Sequence, residues 1–277
     1  MSEQKLTMRQ AMERVARDFT LYRIAPEQRQ RNVLGTLARR LPPPARVLDF
    51  GAGHCLYPAM LSLMGYEAHA CDDLGDDWHL QPGVRQRILD FAGSHGVRFQ
   101  LLDRDTPWPW QPASFDAVIV LDVLEHFHDS PRDLLNSLVE LLREGGYLLV
   151  TVPNAGNLKK RLKLLGGGTN LPDFDYFYWK PGPWRGHVRE YVRSDLRRLA
   201  NNLGLTVVEL RGVNHMLERL PRAARLPWRA VTSVFTGLRD SWLLLAQKPP
   251  GWKPARALAP DHPLHRSLNV INVQPGD

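Results

Sequence analysis

The sequence has little cysteine and no long apolar run. Its only cysteines among 277 residues, Cys55 and Cys71, do not have metal-ligand spacing, so neither a disulfide framework nor a zinc site is indicated. The N-terminus, MSEQKLTMRQAMERVARDF, is charged throughout and lacks the apolar core of a signal peptide. No window approaches the roughly 20 apolar residues of a membrane span. These absences predict a cytoplasmic protein.

Acidic residues are outnumbered by basic ones, and the net charge is +7. This charge suits an acidic partner such as nucleic acid, anionic lipid or a phosphorylated substrate, without choosing among them. Two basic stretches, NLKKRLKLL and RLPRAARLPWRAVTSVF, carry their charges beside apolar residues. Peripheral contact with the inner membrane face is therefore one alternative, and packed helices with a solvated basic face are the other. No RNA-binding module accompanies the charge, so RNA is not the expected partner. Pro221 and Pro227 predict that the second stretch is not one uninterrupted helix.

Short apolar runs alternate with helical patterns from residue 45 onwards. The runs RVLDF, YEAHACD, VRFQLLD, DAVIVLD and YLLVTVP are nearly continuously apolar, as expected of parallel strands that are covered on both faces. Helical patterns lie between them at about 56–64, 83–94 and 131–143, and Gly145-Gly146 is expected to close the last one. The alternation predicts an α/β fold with an open, mainly parallel sheet and helices on both faces.

Three segments flank or interrupt this alternation. Residues 1–44 have helical spacing that ends in a run of prolines, and they predict an N-terminal helical cap. Residues 155–190 combine a basic helix-like piece with an aromatic loop, DFDYFYWKPGPWRGH, and predict a lid inserted into a domain of residues 45–249. Residues 250–277 are rich in proline and predict an extended or loosely ordered tail.

The turn DFGAGHC, residues 49–55, joins the first strand of the pattern to its first helix. Ligands bind at this edge of open parallel sheets. A dinucleotide fingerprint would need glycine where Leu56 stands, and a P-loop would need a Gly-Lys-Ser/Thr ending that is absent. Gly51 and Gly53 therefore predict a tight turn that lets a ligand approach the backbone without a phosphate cradle.

The same turn resembles motif I of the class I S-adenosylmethionine (SAM) methyltransferases, D-x-G-x-G-x-G, with Cys55 in place of the last glycine. We expect that position to tolerate a small residue because the helix has already begun there. Residues 45–213 continue the resemblance with acids after strands two and three, FD opening strand four, LEH at its end and GG before strand five. The resemblance implies a Rossmann-like, mainly parallel seven-stranded sheet whose last strand, residues 240–247, is antiparallel. It also implies SAM as the cofactor of the 45–249 domain.

The resemblance further implies which residues hold SAM. A carboxylate at Asp49 suits the sulfonium and ammonium charges, and Asp72, 23 positions later, suits the ribose hydroxyls, with Asp73 as its neighbouring alternative. Asp103, with Asp105 behind it, corresponds to the acid that meets the adenine amino group. The expected cofactor-binding residues are Asp49, Gly51, Ala52, Gly53, Asp72, Asp73, Asp103 and Leu121.

The end of the fourth strand, LDVLEHFHD, faces the methyl group in this family. It lacks the Asn/Asp-Pro-Pro-aromatic motif of DNA amino-methyltransferases, so DNA is not expected as acceptor. His126 is the candidate general base, because imidazole titrates near neutral pH, and a structural histidine is the alternative. Asp122, Glu125 and His126 form a D-x-x-E-H pattern similar to the E-x-x-E-H of ubiquinone-type O-methyltransferases. A divalent cation on these three residues is an alternative to the metal-free site that we expect.

The segment GHVREYVRSDLRRL offers His187 as a second base or acceptor ligand, with a hydrogen-bonded anchor loop as the alternative, and Ser194 as the N-cap of a helix. Aromatic residues beside Lys180 and Arg185 would suit a sugar, aromatic or nucleotide-linked acceptor. Together these features predict O-methylation of a small-molecule, quinone-precursor or glycan- or lipid-linked acceptor. An RNA methyltransferase and a catalytically silent SAM-binding scaffold remain the alternatives, and the oligomeric state is open.

Overall fold

Seven strands build the centre of the computed structural model, which describes residues 5–21, 27–103, 107–217 and 220–257. The strands are β1 Arg46–Phe50, β2 Glu67–Asp72, β3 Arg98–Leu101, β4 Phe115–Leu121, β5 Leu142–Pro153, β6 Thr206–Val213 and β7 Ser241–Gln247. They form one sheet in the order β3-β2-β1-β4-β5-β7-β6. The pairs from β3 to β5 are parallel, whereas β7 runs antiparallel to both β5 and β6. The predicted sheet and its antiparallel last strand are confirmed.

Helices cover both faces of this sheet. They are α1 Met8–Asp18, α2 Glu27–Ala38, α3 Leu56–Leu63, α4 Val84–Ser94, α5 Arg132–Leu141, α6 Leu158–Leu165, α7 Phe174–Trp179, α8 Arg193–Asn202 and α9 Arg222–Val234. Alternate strand residues such as Val47 and Ile119 join one buried cluster with α1 to α4. Their neighbours Leu48 and Val120 join a second buried cluster with α5 and α8. Burial on both faces explains why the strands are almost continuously apolar.

Helix α5 ends before the Gly145-Gly146 pair that was expected to close it. The chain enters β5 directly at Leu142, and both glycines lie inside that strand. They form an irregularity in the pairing with β4, where Phe115 pairs with Leu142 and Ala117 pairs with Tyr147. A side chain at Gly146 would come within 2.9 Å of the Arg143 carbonyl oxygen, so the bulge itself requires glycine.

Two further helix boundaries differ from expectation. Helix α8 begins at Arg193, so the prediction of Ser194 as N-cap is wrong; the Asp195 carboxylate instead accepts the Val192 N–H at 3.2 Å. The aromatic stretch predicted as a loop contains α7, because the Asp173 side chain caps it by accepting the Tyr176 N–H at 3.1 Å.

Pro221 precedes helix α9, so the basic stretch is not one helix from its first residue, but Pro227 does not interrupt the helix as expected. Pro221 stands just before the first turn, where no helical N–H partner is needed, and Pro227 lies inside the helix. Pro227 deprives the carbonyl of Ala223, four residues earlier, of its helical donor, but Ala223 is exposed and water can replace that donor. Among the residues described, no helix combines the length and apolar composition needed to cross a membrane.

The start of the proline-rich tail is bound to the domain. The Trp252 indole N–H donates to the Leu203 carbonyl at 2.6 Å. The Asn136 side chain donates to the Ala255 carbonyl and accepts its N–H, at 3.1 and 3.2 Å. These contacts fix residues 250–257 against α5 and α8, and residues 258–277 lie outside the described residues.

Lys248 is expected to stabilise the junction between α5 and β5. Its buried ammonium donates to the carbonyls of Val139 and Leu142, at 2.9 and 2.6 Å. Lys248→Ala leaves both carbonyls without this donor, and we expect it to lower the free energy of unfolding by about 1–3 kcal/mol in urea titrations. The exposed Lys253→Ala is the matched control and should change it by less than about 0.5 kcal/mol. Equal stability of the two variants would contradict this role.

Candidate functional site

The turn between β1 and α3 lies where the strand order reverses, between β1 and β4. The N–H groups of Gly51 and Ala52 donate to the Cys71 carbonyl at 2.9 and 3.1 Å, which holds the turn against β2. Gly51 has φ +75°, and a Cβ there would lie 2.5 Å from a methyl group of Val123. Glycine is therefore required at this position, as the sequence predicted, and the turn brings its backbone to the carboxyl edge of the sheet.

Cys55 adopts the left-handed conformation, with φ +63°, and immediately precedes α3. The expectation that the helix has already begun at this position is therefore wrong. The backbone here is one that glycine adopts freely and that other residues adopt at a cost of about 1–2 kcal/mol. The Cys55 side chain is fully buried among the residues that α1 to α4 pack on the sheet, so its packing offsets part of that cost.

Asp72 lies beside this turn. Its carboxylate accepts the Gly53 N–H at 2.8 Å and the Leu74 N–H at 2.7 Å. Burial raises the pKa of Asp72, although these two N–H groups act in the opposite direction. A carboxylate fixed by two backbone donors keeps lone pairs for hydroxyl donors of a ligand, which fits the expected ribose partner.

The other acids of the expected set occupy different surroundings. The Asp73 carboxylate binds the Arg185 guanidinium at 3.0 Å and the Gly75 N–H at 2.8 Å, so it is engaged by the inserted segment. Asp103 is exposed after the end of β3, and Leu121 is buried at the end of β4. Asp105 lies outside the described residues.

Asp49 is buried near the end of β1, where Arg29 is the cation that acts on its charge. Asp49 is 2% exposed, and its Oδ1 has no hydrogen-bond partner among the residues described. Burial, followed by the charge of Asp72, raises the pKa of Asp49 well above its ordinary value. A buried carboxylate in this state is stabilised when a cation arrives, so the residues present fit the positively charged ligand that the sequence resemblance implies.

Arg29 of α2 is a site residue that the sequence reasoning missed. Its guanidinium binds the Asp122 carboxylate at 2.7 Å, and its Nε is buried without a hydrogen-bond partner among the described residues. Burial disfavours the charge of Arg29, but Asp122, Tyr57, Glu125 and Asp49 outweigh this effect and raise its pKa. Arg29 lies within the polar helix pattern EQRQRN, and nothing in that pattern singles it out. Its position makes it a candidate partner for an anionic group of the ligand.

Glu125, His126 and His187 come together at the end of β4. One side-chain nitrogen or oxygen of each lies within 4.8 Å of the others. The sequence alternative for a cation site placed Asp122 in this group, but Asp122 instead accepts the Thr151 hydroxyl at 2.8 Å and pairs with Arg29. His187 takes that place in the structure.

The Glu125 carboxylate is fully buried, and neither of its oxygens has a hydrogen-bond partner among the residues described. Burial, reinforced by the charge of Asp122, raises the pKa of Glu125 to about 8. The sequence pattern identified Glu125 as a candidate ligand, but only the structure shows that the carboxylate is both buried and uncompensated. Such a group favours an adjacent positive charge.

Hydrogen bonds orient the two imidazoles toward Glu125. His126 Nδ1 donates to the Arg185 carbonyl at 2.7 Å, and His187 Nδ1 donates to the Glu190 carboxylate at 3.0 Å. Their Nε2 atoms lie 4.0 and 3.9 Å from Glu125 Oε1. Burial lowers the pKa of His187, and the charges of His126 and Lys160 act in the same direction. A neutral imidazole with its Nδ1 engaged presents a lone pair on Nε2, which can accept a proton or ligate a cation.

The end of the inserted segment is bound to the 3-10 turn Leu124–His126. The N–H groups of Val188 and Arg189 donate to the Glu125 carbonyl at 2.6 and 3.2 Å, and the Tyr191 hydroxyl donates to the Leu124 carbonyl at 3.3 Å. These bonds are what bring His187 to His126, whose rings lie perpendicular with centroids 5.0 Å apart.

A cavity of about 550 Å³ lies within the insertion, is lined by residues of that segment, and includes His187 in its wall. Lysine and aromatic side chains share the lining, which includes Lys159, Lys160, Lys163, Tyr176 and Trp184. Lys180 and Arg185 do not belong to it: they pair with Asp77 and with Asp73 and Asp76. These ion pairs bind the insertion to the loop after β2.

The raised pKa of Glu125 predicts a pH-dependent stability. A carboxyl group whose folded-state pKa is about 8, against an ordinary 4.5, loses folded-state stability as the pH rises through that window. Glu125→Gln removes this loss. We expect the variant to gain stability over the wild type as the pH rises from about 5 to about 9, by at least about 2–4 °C in melting temperature. Melting is followed in EDTA, so that no cation compensates the charge. A difference that stays constant with pH would contradict the raised pKa.

Comparisons with known proteins identify the family of the chain. Residues 22–210 match the family described as "Methyltransferase domain". The chain is similar to the ubiquinone biosynthesis O-methyltransferase of Xanthomonas campestris pv. campestris, with 26% identity over 214 residues, 76% of this chain and 80% of the relative. The protein of the same description from Cupriavidus pinatubonensis is 24% identical over 61% of this chain and 64% of its own.

Solved structures share the fold. One is a chain from the complex between the Haloferax volcanii Trm112 methyltransferase activator and a methyltransferase, with a TM-score of 0.56, 16% identity, and coverage of 89% of this chain and all of that one. Another is the [4+2]-cyclase SpnF, with a TM-score of 0.52, 16% identity, and coverage of 88% and 94%. The family match covers well over half of the sequence, so the chain belongs to the methyltransferase domain family and is a SAM-dependent methyltransferase with the Rossmann-like class I fold.

Proposed function

We propose that this methyltransferase transfers the methyl group of SAM to a hydroxyl oxygen of its acceptor. The observation that carries the proposal is the cluster of Glu125, His126 and His187 at the end of β4, where two oriented imidazoles meet an uncompensated carboxylate. An amine acceptor has its own lone pair for the methyl group, whereas a hydroxyl benefits from a base or a cation beside its oxygen. The O-methyltransferase description of the Xanthomonas relative supports the same choice.

The residues around the β1–α3 turn fit the parts of SAM. Asp72 suits the ribose hydroxyls, and Gly51 and Gly53 leave the backbone accessible. The buried Asp49 suits the sulfonium and ammonium charges, while Arg29 suits the carboxylate of the methionine part. This arrangement places positive ligand charge beside carboxylates that lack compensation, which reduces the cost of their burial.

The transfer is an in-line displacement. The acceptor oxygen forms a bond to the methyl carbon as the carbon–sulfur bond breaks, and the electron pair of that bond stays on sulfur to give S-adenosylhomocysteine. The hydroxyl proton goes to an imidazole Nε2, and His187 suits this role because burial keeps it neutral. Glu190 holds the opposite nitrogen of the same ring and stabilises the charge that the ring acquires.

The same three side chains fit a divalent cation, because one carboxylate and two imidazoles with engaged Nδ1 atoms form a common ligand set. Glu125, His126 and His187 would hold it, and it would orient the acceptor oxygen and lower the pKa of its hydroxyl. A general base and a bound cation are alternative ways to activate the acceptor hydroxyl, and removal of metal ions by a chelator distinguishes them.

The cavity beside His187 supports an acceptor with a ring and a negatively charged group. Tyr176 and Trp184 offer aromatic faces, and three lysines face a single lining carboxylate, that of Glu190. One of these lysines, Lys160, is paired with Glu190. The remaining charge on Lys159 and Lys163 would favour a phosphate or carboxylate on the acceptor.

His187→Gln tests the proposal. We expect it to lower kcat for transfer of labelled methyl groups about 100-fold or more, because it removes the base or a cation ligand, while the affinity for SAM measured by calorimetry changes by less than about threefold. Hydroxylated aromatic carboxylates and phosphates are the acceptors for this assay.

His128→Gln is the matched control, because His128 binds the insertion through the Trp184 carbonyl at 2.7 Å without joining the cluster. It should keep most of the activity. Loss of activity in EDTA that a divalent cation restores assigns the cation, and full activity in EDTA assigns the base. Transfer to amine acceptors alone, or undiminished transfer by His187→Gln, would contradict O-methylation at this cluster.

A further inference from the structure

Helix α9 exposes an apolar face to solvent. Of its 13 residues, Thr232 is the buried one. Leu226 is 77% exposed and Val234 is 72% exposed, and Phe235, the residue that follows the helix, is also exposed. An amphipathic helix normally buries such a face against its own domain. Here the helix packs against the domain through the side that carries Thr232. It leaves Leu226, Val234 and Phe235 exposed to water, which marks an interaction surface.

Basic residues border this face. The stretch from Leu220 to Arg239 has no aspartate or glutamate and four arginines. Arg222 and Arg229 lie four residues before and three residues after Leu226, so they flank it on the helix surface. The face therefore combines exposed apolar side chains with the flanking arginines Arg222 and Arg229.

Helix α6 has the same character. It contains no buried residue, and it carries Lys159, Lys160, Arg161 and Lys163. Leu165 is 85% exposed and Leu162 is also exposed. Residues 154–172 contain no aspartate or glutamate. A helix this short and this exposed gains little from its own domain, so its leucines are available to a partner.

The two helices start from one anchoring point. The Asn154 side-chain amide donates to the carbonyls of Gly237 and Arg239, at 2.8 and 2.7 Å, just after α9. Asn157, three residues later, caps α6 by accepting the Lys160 N–H at 3.0 Å. The C-terminal end of α9 and the N-terminal end of α6 are thus adjacent, and we name the exposed faces of these two helices the basic apolar surface.

We propose that the basic apolar surface docks the protein on an anionic membrane. The exposed leucine, valine and phenylalanine side chains enter the headgroup region, and the exposed Arg161, Arg222 and Arg229 meet lipid phosphates, each worth about 1 kcal/mol near such a surface. A second copy of the chain fits less well, because a symmetric contact would place two surfaces rich in basic residues against each other. The proposal does not depend on the identity of the methyl acceptor.

Vesicle flotation of the full-length protein tests the proposal. At low salt we expect binding to vesicles of phosphatidylcholine with phosphatidylglycerol to exceed binding to pure phosphatidylcholine by about tenfold or more, and to fall as salt is raised. Leu226→Glu with Val234→Glu should lower it by about tenfold or more, because the apolar face is lost. Both positions are exposed, and unchanged SAM affinity verifies the fold of the variant.

Arg197→Ala with Arg198→Ala is the matched control. These arginines are exposed on α8, whose Leu196 and Ala200 are buried against the sheet, and the pair of changes lowers the net charge by the same two units. The control should bind within about threefold of the wild type. Absence of vesicle binding at low salt, or equal binding by both double variants, would overturn the proposal. A dimer in light scattering that only Leu226→Glu with Val234→Glu dissociates would assign the surface to a second copy instead.

Discussion

A group of buried carboxyls at the carboxyl edge of the sheet is the constraint from which the site follows. Asp49, Asp72 and Glu125 are removed from water there, and burial raises the pKa of each. Arg29 is a buried cation that meets this group, but its closest partner is Asp122. In the proposed function, the sulfonium and ammonium groups of SAM offset the charge of Asp49, and a proton or a cation offsets that of Glu125. The site is therefore more stable when occupied than when empty.

The insertion links the cofactor turn to the cluster of Glu125, His126 and His187 through Arg185. Its guanidinium binds Asp73 and Asp76 beside the cofactor turn, and its backbone carbonyl accepts the hydrogen bond that orients His126. The next residues bring His187 to Glu125 through the N–H groups of Val188 and Arg189. The same segment therefore contacts the acids beside the cofactor turn and orients the imidazoles of the cluster. Order at the cofactor turn would favour order at the cluster through these contacts.

Much of this arrangement could be predicted from the sequence, because the carboxyl ends of parallel strands lie at the same edge of a sheet. The acids after β1 and β2 and the LEH segment after β4 had to meet there, and they do. Arg29 could not be found in this way, since it reaches the site from α2 through tertiary packing that no local pattern encodes. His187 was a candidate, but its meeting with Glu125 depends on long-range hydrogen bonds. The left-handed backbone at Cys55 was missed because a helical pattern does not show where the first turn begins.

Proton release during cofactor binding tests the account most directly. Calorimetric titration of the protein with SAM at neutral pH, repeated in two buffers of different ionisation enthalpy, measures the protons exchanged. Because the cofactor brings positive charge to carboxyls whose pKa is raised, we predict that SAM binding releases protons. S-adenosylhomocysteine, which lacks the sulfonium charge, should release fewer. No proton release, or equal release with both compounds, would show that the buried carboxyls do not bind the cofactor through its charge.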